Sequence, residues 1–331
     1  MSRRHPCRHG QPAEPCLVSV AELEQAGDLI GFDVTALRFA VIGAGRLGAS
    51  LAIALRTQGL HLAGFTAHTP IGRARAETWL NAPASADVKD LVSLEPDLYL
   101  IAVPDSVLPS VAVQLGESMA GHHPAPSVAH TSGATSVAVL RPCEKAGATT
   151  FVFHPLQTFS DPVSGSQRFA GTAIAVTPSS DGTDSPGAVL GFALADTLGA
   201  RPFLLADGKR SLYHAAATLA CNYLITLEHH AQQLFAQTGL PSADVLPLFL
   251  PLVKATLENI EREGTVKALT GPLSRGDLRT VRGHLAALRK DAPHLLPLYR
   301  VLGSATLDIV RVRGEVESAI IDELAELLRS P

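Results

Sequence analysis

The chain has 331 residues, of which 46% are hydrophobic and 18% charged, with a formal net charge of −4. That length suits one large core or two domains, and that composition excludes a chain disordered throughout. The small negative balance leaves no broad basic field, which argues against a primary nucleic-acid role. The longest apolar run, "VLPLFLPLV" (245–253), is short and carries two prolines, so no membrane span is expected.

Residues 1–35 read as a polar, proline-containing tail. Two early arginines have no apolar stretch behind them, so no secretory signal is expected. Cys7 and Cys16 lie near His5 and His9, but their spacing matches no standard zinc pattern, and no metal site is expected. With Cys143 and Cys221 the cysteines are too few and scattered for a disulfide scaffold, which fits a reducing cytoplasm.

A short helix is expected around "VAELEQAG" (20–27), and regular alternation begins after it. Strands are predicted at 37–42, 61–66, 97–103, 127–131, 150–154 and 172–177. Helical patterns fall between them at 46–57, 71–80 and 106–119. Short apolar runs separated by amphipathic segments predict parallel strands with crossover helices, and "DLYLIAV" (97–103) reads as a strand covered on both faces. "TPSSDGTDSPG" (177–187) reads as a surface loop, and "RPFLLA" (201–206) as the last strand-like run.

From Asp207 onward the pattern is helical. "GKRSLYHAAATLACNYLITLEHHAQQLFAQTG" (208–239) predicts one helix, with Asp207 as N-cap and Gly239 as stop. Pro241, Pro272 and Pro293 each mark a further helix start. The expected architecture is α/β plus all-α: a Rossmann dinucleotide-binding domain over 36–206, then a helical domain over 207–331 for substrate and dimerisation.

The first alternating unit carries Gly43-Ala44-Gly45-Arg46-Leu47-Gly48 between a predicted strand and a predicted helix. In that context Gly43 allows the tight turn, Gly45 lets backbone approach a pyrophosphate, and Gly48 lets helix and strand pack closely. The helix N-terminus then offers unpaired N–H groups to the phosphates. The second strand runs into Thr66, His68, Thr69, Arg73 and Arg75, with no carboxylate until Glu77. Hydroxyls and guanidinium groups suit a 2′-phosphate, so NADP is expected, with Thr66, His68 and Arg73 as its readers and Arg75 in solvent. Val103-Pro104-Asp105 closes the apolar strand at the edge where ligands sit in open α/β sheets.

Two polar clusters end the next strands: "HTSGA" (130–134), with Ser132 and Gly133, and "FHPLQTFSD" (153–161), with His154, Gln157 and Thr158. A third chemical group is Lys209, Tyr213 and His214 in the first turn of the long helix. Lys209 and Tyr213 share a face, while His214 points about 140° from Lys209 on an ideal helix. Carbonyl reduction needs a cation or acid near the developing oxyanion, and Lys209 or His214 can supply it.

A Rossmann half followed by a helical half resembles the superfamily of 6-phosphogluconate dehydrogenase, ketopantoate reductase and pyrroline-5-carboxylate reductase. More closely, "HTSGA", "FHPLQTF", "YHAAATLACNYLITL" and "ALTGPLSRGD" resemble a bacterial family of Rossmann-like proteins whose C-terminal domain long went unassigned. Some of its members are regarded as a divergent type of ketopantoate reductase. The resemblance covers about residues 36 to 329.

It implies that Gly43, Gly45 and Gly48 hold the nucleotide and that Ser132-Gly133 and the segment from His154 to Phe159 contact substrate. Lys209 matches the superfamily's helix lysine, but Tyr213 replaces the usual asparagine, which keeps His214 and Asn222 as candidates. Arg275 in "TGPLSRGD" is expected either to meet a substrate carboxylate, in its own or a partner subunit's site, or to pair with Asp277 at a capped helix start.

These readings together predict a cytoplasmic NADPH-dependent oxidoreductase acting on a small carboxylated carbonyl compound, 2-dehydropantoate first. The alternatives are an imine reductase of the pyrroline-5-carboxylate type and a nucleotide-sensing protein without turnover. Surplus apolar positions in the helical half predict a homodimer.

Overall fold

A computed structural model describes residues 34–121, 124–180 and 182–329. The helix expected at 20–27 and the residues His5, Cys7, His9 and Cys16 lie outside the described residues. The chain divides into two compact units, one ending at Thr218 and the other beginning at Leu219.

The first unit is built on one eight-stranded sheet in the order β3-β2-β1-β4-β5-β6-β7-β8. Its strands are β1 (Arg38–Ile42), β2 (His61–Thr66), β3 (Ala84–Ser85), β4 (Leu98–Ile101), β5 (Ser127–His130), β6 (Thr149–Pro155), β7 (Ala173–Pro178) and β8 (Arg201–Leu204). Every neighbouring pair is parallel except β6–β7. The carboxyl ends of β1 to β6 therefore share one edge of the sheet, and the strand order reverses between β1 and β4. That reversal opens the crevice where open α/β sheets bind ligands.

Helices cover both faces, which is why the central strands carry apolar residues at successive positions. Phe39 and Val41 of β1 face one core with α1 (Arg46–Thr57) and α7 (Pro186–Thr197). Ala40 and Ile42 face the other, with α3 (Val88–Val92), α4 (Leu108–Met119) and α5 (Arg141–Lys145). Between these lie α2 (Pro70–Leu80), capped by the Thr69 hydroxyl on Gly72 N at 3.0 Å, and α6 (Pro162–Ser166), capped by Asp161. Helix α7 was absent from the sequence reading because "PGAVLGFALADT" shows almost no polar face; it packs against β6, β7 and β8. The two-residue β3 is too short to carry a period.

The long helix expected from 208 to 239 is not continuous. A 3₁₀ turn, Asp207–Lys209, leads into α8 (Arg210–Ala220), and Cys221 at φ −117°, ψ −63° separates it from α9 (Asn222–Gln237). Gly239 stops the chain at φ +91°, as expected. Asp207 does not cap this helix: its carboxylate accepts from Val137 N at 2.9 Å and the Ser136 hydroxyl at 2.6 Å. Most of α8 consequently belongs to the first unit, although the sequence placed the boundary at residue 207.

In the second unit, α11 (Leu278–Asp291), α12 (Leu296–Arg313) and α13 (Ser318–Arg329) surround a core of Val281, Leu285, Leu307, Val310, Ile321, Leu324 and Leu328. Helix α10 (Ser242–Lys267) follows Pro241 and is interrupted at Gly264, which holds φ +76°. Pro272 and Pro293 open the 3₁₀ turns Leu273–Arg275 and Pro293–Leu295, which precede α11 and α12. Among the described residues no helix is long and apolar enough to cross a membrane.

Candidate active site

The loop after β1 is built by close contacts that only glycine permits. Gly43 holds φ +97°, and a Cβ there would lie 2.7 Å from Ala102 O. A Cβ at Gly48 would collide with Gly43 O. Gly45 differs from both. Its backbone is extended (φ −77°, ψ −162°), and a Cβ would meet nothing within 4 Å. The face of Gly45 is thus open space, as a backbone that approaches a pyrophosphate requires.

The loop's own amides are already taken. Gly43 N and Ala44 N donate to Thr66 O at 3.1 and 2.8 Å, and Gly45 N donates to Gly43 O at 2.8 Å. The anion donors therefore fall to the first turn of α1, at Arg46, Leu47 and Gly48. Their amides precede any intrahelical acceptor, and no side chain caps that helix. Thr66 serves this loop as well, because its hydroxyl accepts from Gly43 N at 3.1 Å.

A crevice of about 690 Å³ opens here, lined by Gly43, Gly45, His68, Thr69, Arg75 and Pro104, among others. Val103 also lines it, and Asp105 follows Pro104 in the chain. Arg75, rather than Arg73, reaches this crevice. Its guanidinium lies over the Trp79 ring, 5.4 Å from the centroid, whereas Arg73 turns back to donate to Ala67 O at 3.0 Å. Among the described residues Asp87 is the one carboxylate in the lining, and it caps α3 by accepting from Lys89 N at 3.1 Å.

A second cluster gathers at the ends of β5 and β6. His154 Nδ1 lies 2.9 Å from the Tyr213 phenol oxygen, and the His154 ring centroid is 5.4 Å from that of Tyr213 and 6.3 Å from that of His214. Consecutive residues of α8 thus both reach one imidazole. Gly133 makes the gathering possible: a Cβ there would sit 2.8 Å from His154 Nε2 and would collide with the His214 ring. Ser132 is turned into the local structure, its hydroxyl accepting from Thr135 N at 3.0 Å and its carbonyl from Arg210.

Arg210 was not singled out from the sequence, yet it is 1% exposed. Its guanidinium donates to the carbonyls of Ser132 and Thr135 (2.8 Å to the latter) and to the Thr177 hydroxyl at 2.9 Å. The signal was available, since residues 210, 213 and 214 stand at i, i+3 and i+4 and share one helix face. Burial, together with the Arg210 charge, lowers the pKa of both His130 and His154 to about 4. His214 also lowers His154, while Asp105 works in the opposite direction on both rings. Burial pushes the Tyr213 phenol up to about 12, against the pull of Arg210. His130 is enclosed, with Nδ1 accepting from Ser132 N at 3.2 Å and Nε2 unpartnered.

The remaining expected residues are placed as follows within their own units. Lys209 ends the 3₁₀ turn and is exposed. Gln157 and Thr158 are exposed in the loop after β6, where Gln157 accepts from Thr158 N at 2.8 Å and Thr158 O accepts from Arg168 at 3.2 Å. Asn222 and Arg275 belong to the second unit and are exposed there. Asp277 beside Arg275 caps α11 by accepting from Thr280 N at 3.0 Å. Among the described residues no group of three or more His, Cys, Asp or Glu side chains is placed to hold a metal ion.

Residues 23–155 match the model of a Rossmann-like domain, and residues 179–306 match that of a domain of unknown function (DUF2520). No curated protein matches the chain in sequence. Among solved structures, a candidate NADP oxidoreductase from Bacteroides fragilis is similar at 24% identity and TM-score 0.65, over 86% of this chain and 100% of its own. A pyrroline-5-carboxylate reductase from Streptococcus pyogenes is similar at 15% identity and TM-score 0.55, over 88% and 99%. A pyrroline carboxylate reductase from Plasmodium falciparum, solved with NADP bound, is similar at 11% identity and TM-score 0.54, over 90% and 100%. The chain has a Rossmann-like domain followed by a helical C-terminal region, in a fold shared with NAD(P)-dependent reductases.

Proposed function

We propose that this chain is an NADPH-dependent oxidoreductase that reduces a small carboxylated carbonyl compound, with 2-dehydropantoate as the first substrate to test. The observation that carries the reading is the open face of Gly45 in a crevice at the point where the strand order of the sheet reverses. A nucleotide crevice and a polar cluster at neighbouring strand ends are what hydride transfer to a polar substrate requires. The residues fit the dinucleotide. The first-turn amides of α1 suit the pyrophosphate, and Arg75, His68 and Thr69 suit a 2′-phosphate. When bound, the nicotinamide supplies the hydride. The protein's part is to orient the carbonyl at the carboxyl ends of the strands and to deliver a proton to its oxygen.

NADPH oxidation across a panel of 2-keto acids and cyclic imines tests this. Turnover of 2-dehydropantoate supports the substrate, and turnover of imines alone moves the reaction to C=N reduction. NADPH binding with no turnover moves the protein to a nucleotide sensor.

A homodimer through the helical region belongs to the same proposal. Tyr223, Ile225, Leu248, Leu252 and Leu257 on α9 and α10 are all about half or more exposed, a surplus that usually marks an interface. A monomer mass by light scattering at micromolar concentration overturns it.

A further inference from the structure

Building on that reductase reading, we propose that His154 delivers the proton to the substrate oxygen through Nε2, with Tyr213 and Arg210 as its positioning residues. The two ring nitrogens have different surroundings. Nδ1 is held by the Tyr213 phenol at 2.9 Å. Nε2 has no hydrogen-bond partner among the described residues and, unlike Nε2 of His130, is not sealed in the interior. It abuts Gly133 at the end of β5, where only the absence of a side chain lets the ring come this close.

The groups facing this imidazole are Tyr213, His214 and Arg210 from α8 and Asp105 from the loop after β4. Burial, Arg210 and His214 disfavour the imidazolium more than Asp105 favours it, so the ring is neutral at physiological pH. The phenol stays protonated over the same range. A protonated phenol donating to Nδ1 puts the single ring proton on Nε2. A neutral imidazole can act as an electrophile on a carbonyl when its pKa is depressed.

The step balances. As the carbonyl carbon accepts the hydride, the π electrons move to oxygen, which takes the Nε2 proton. Nδ1 takes the Tyr213 proton, the Arg210 charge stabilises the transient phenolate, and water reprotonates it. Tyr213 is also braced by Phe203 of β8, at 6.1 Å between ring centroids, so removing its hydroxyl leaves the ring packed.

The test uses the full chain and three measurements. First, with the substrate found above, His154→Gln is expected to lower kcat about 10³-fold and Tyr213→Phe about 10²-fold, with KM and NADPH affinity within threefold of wild type. Second, wild-type kcat is expected to be flat from pH 5.5 to 8. Third, in the nucleotide-free protein, ¹⁵N NMR is expected to show His154 in the Nε2–H tautomer, and a tautomer mixture in Tyr213→Phe.

A kcat that falls through about pH 6.5, the ordinary imidazole range, overturns the proposal. So does an Nδ1–H tautomer in wild type, or a folded Tyr213→Phe variant with unchanged kcat. If the wild type reduces nothing in the panel, the reductase reading itself fails, and the proton-delivery role falls with it. Wild-type turnover that survives in His154→Gln overturns this proposal alone.

Discussion

Gly45→Ala separates nucleotide binding from folding with a single methyl group. The backbone at Gly45 is extended, a conformation that alanine adopts freely, and the new Cβ meets no atom of the protein within 4 Å. Folding is therefore unharmed, and lower entropy of the unfolded chain adds about 0.4–1 kcal/mol of stability. The methyl instead fills the face where a pyrophosphate would lie, and NADPH affinity is expected to fall at least tenfold, or about 1.4 kcal/mol. Gly48→Ala is the contrast. Its Cβ collides with Gly43 O, and overpacking against backbone costs about 1–3 kcal/mol, which lowers the melting temperature and affinity together. Fluorescence titration with NADPH and thermal melts of both variants measure the two effects. Wild-type affinity in Gly45→Ala would refute the placement of the phosphates.

Arg75→Ala is expected to weaken NADPH about tenfold and leave NADH unchanged, with a smaller effect for Arg73→Ala, as measured by calorimetry with both nucleotides. Arg210→Met strands two carbonyls and a hydroxyl and is expected to cost about 3 kcal/mol in urea unfolding. Arg210→Lys is expected to recover little, because an ammonium cannot span three acceptors. Lys209→Met, at an exposed position, is expected to change turnover by less than threefold. His130 and His154 titrate near pH 4 when folded and near 6.5 when unfolded, so the unfolded chain binds more protons between those values. Stability is expected to be full above about pH 6.5 and to fall as pH drops towards 4, with His130→Gln flattening part of that slope in urea midpoints.

Most of the sheet was legible because buried parallel strands leave apolar runs that few other structures explain. Observed β2 (His61–Thr66) coincides with the expected span, and β4, β5 and β6 differ from it only at their ends. The helix break at Cys221 was not legible. No proline or glycine marks it, and the apolar pattern runs through it unbroken from "YHAAATLA" to "NYLITL".

The phosphate loop was legible because each of its glycines has a distinct steric reason. The choice between Arg73 and Arg75 was not. Both follow the same strand, and only the reach of Arg73 back to Ala67 O removes it from the crevice.

The same limit explains the shift from Lys209 to Arg210. The 3₁₀ turn forms where Asp207 is drawn to Val137 N and the Ser136 hydroxyl, and it leaves Lys209 in solvent and Arg210 inside. A buried guanidinium is costly, and none of its three hydrogen-bond acceptors here is a carboxylate. What the arginine provides is a fixed relation between parts of the chain far apart in sequence. Ser132 and Thr135 flank Gly133, Thr177 lies on β7, and Tyr213 and His214 follow one helical turn later. With both carbonyls pinned, Gly133 stays close enough to exclude any side chain between itself and the two histidines. That constraint accounts for a glycine at 133 and for an arginine among apolar strands, and it operates only when β5, β7 and α8 come together.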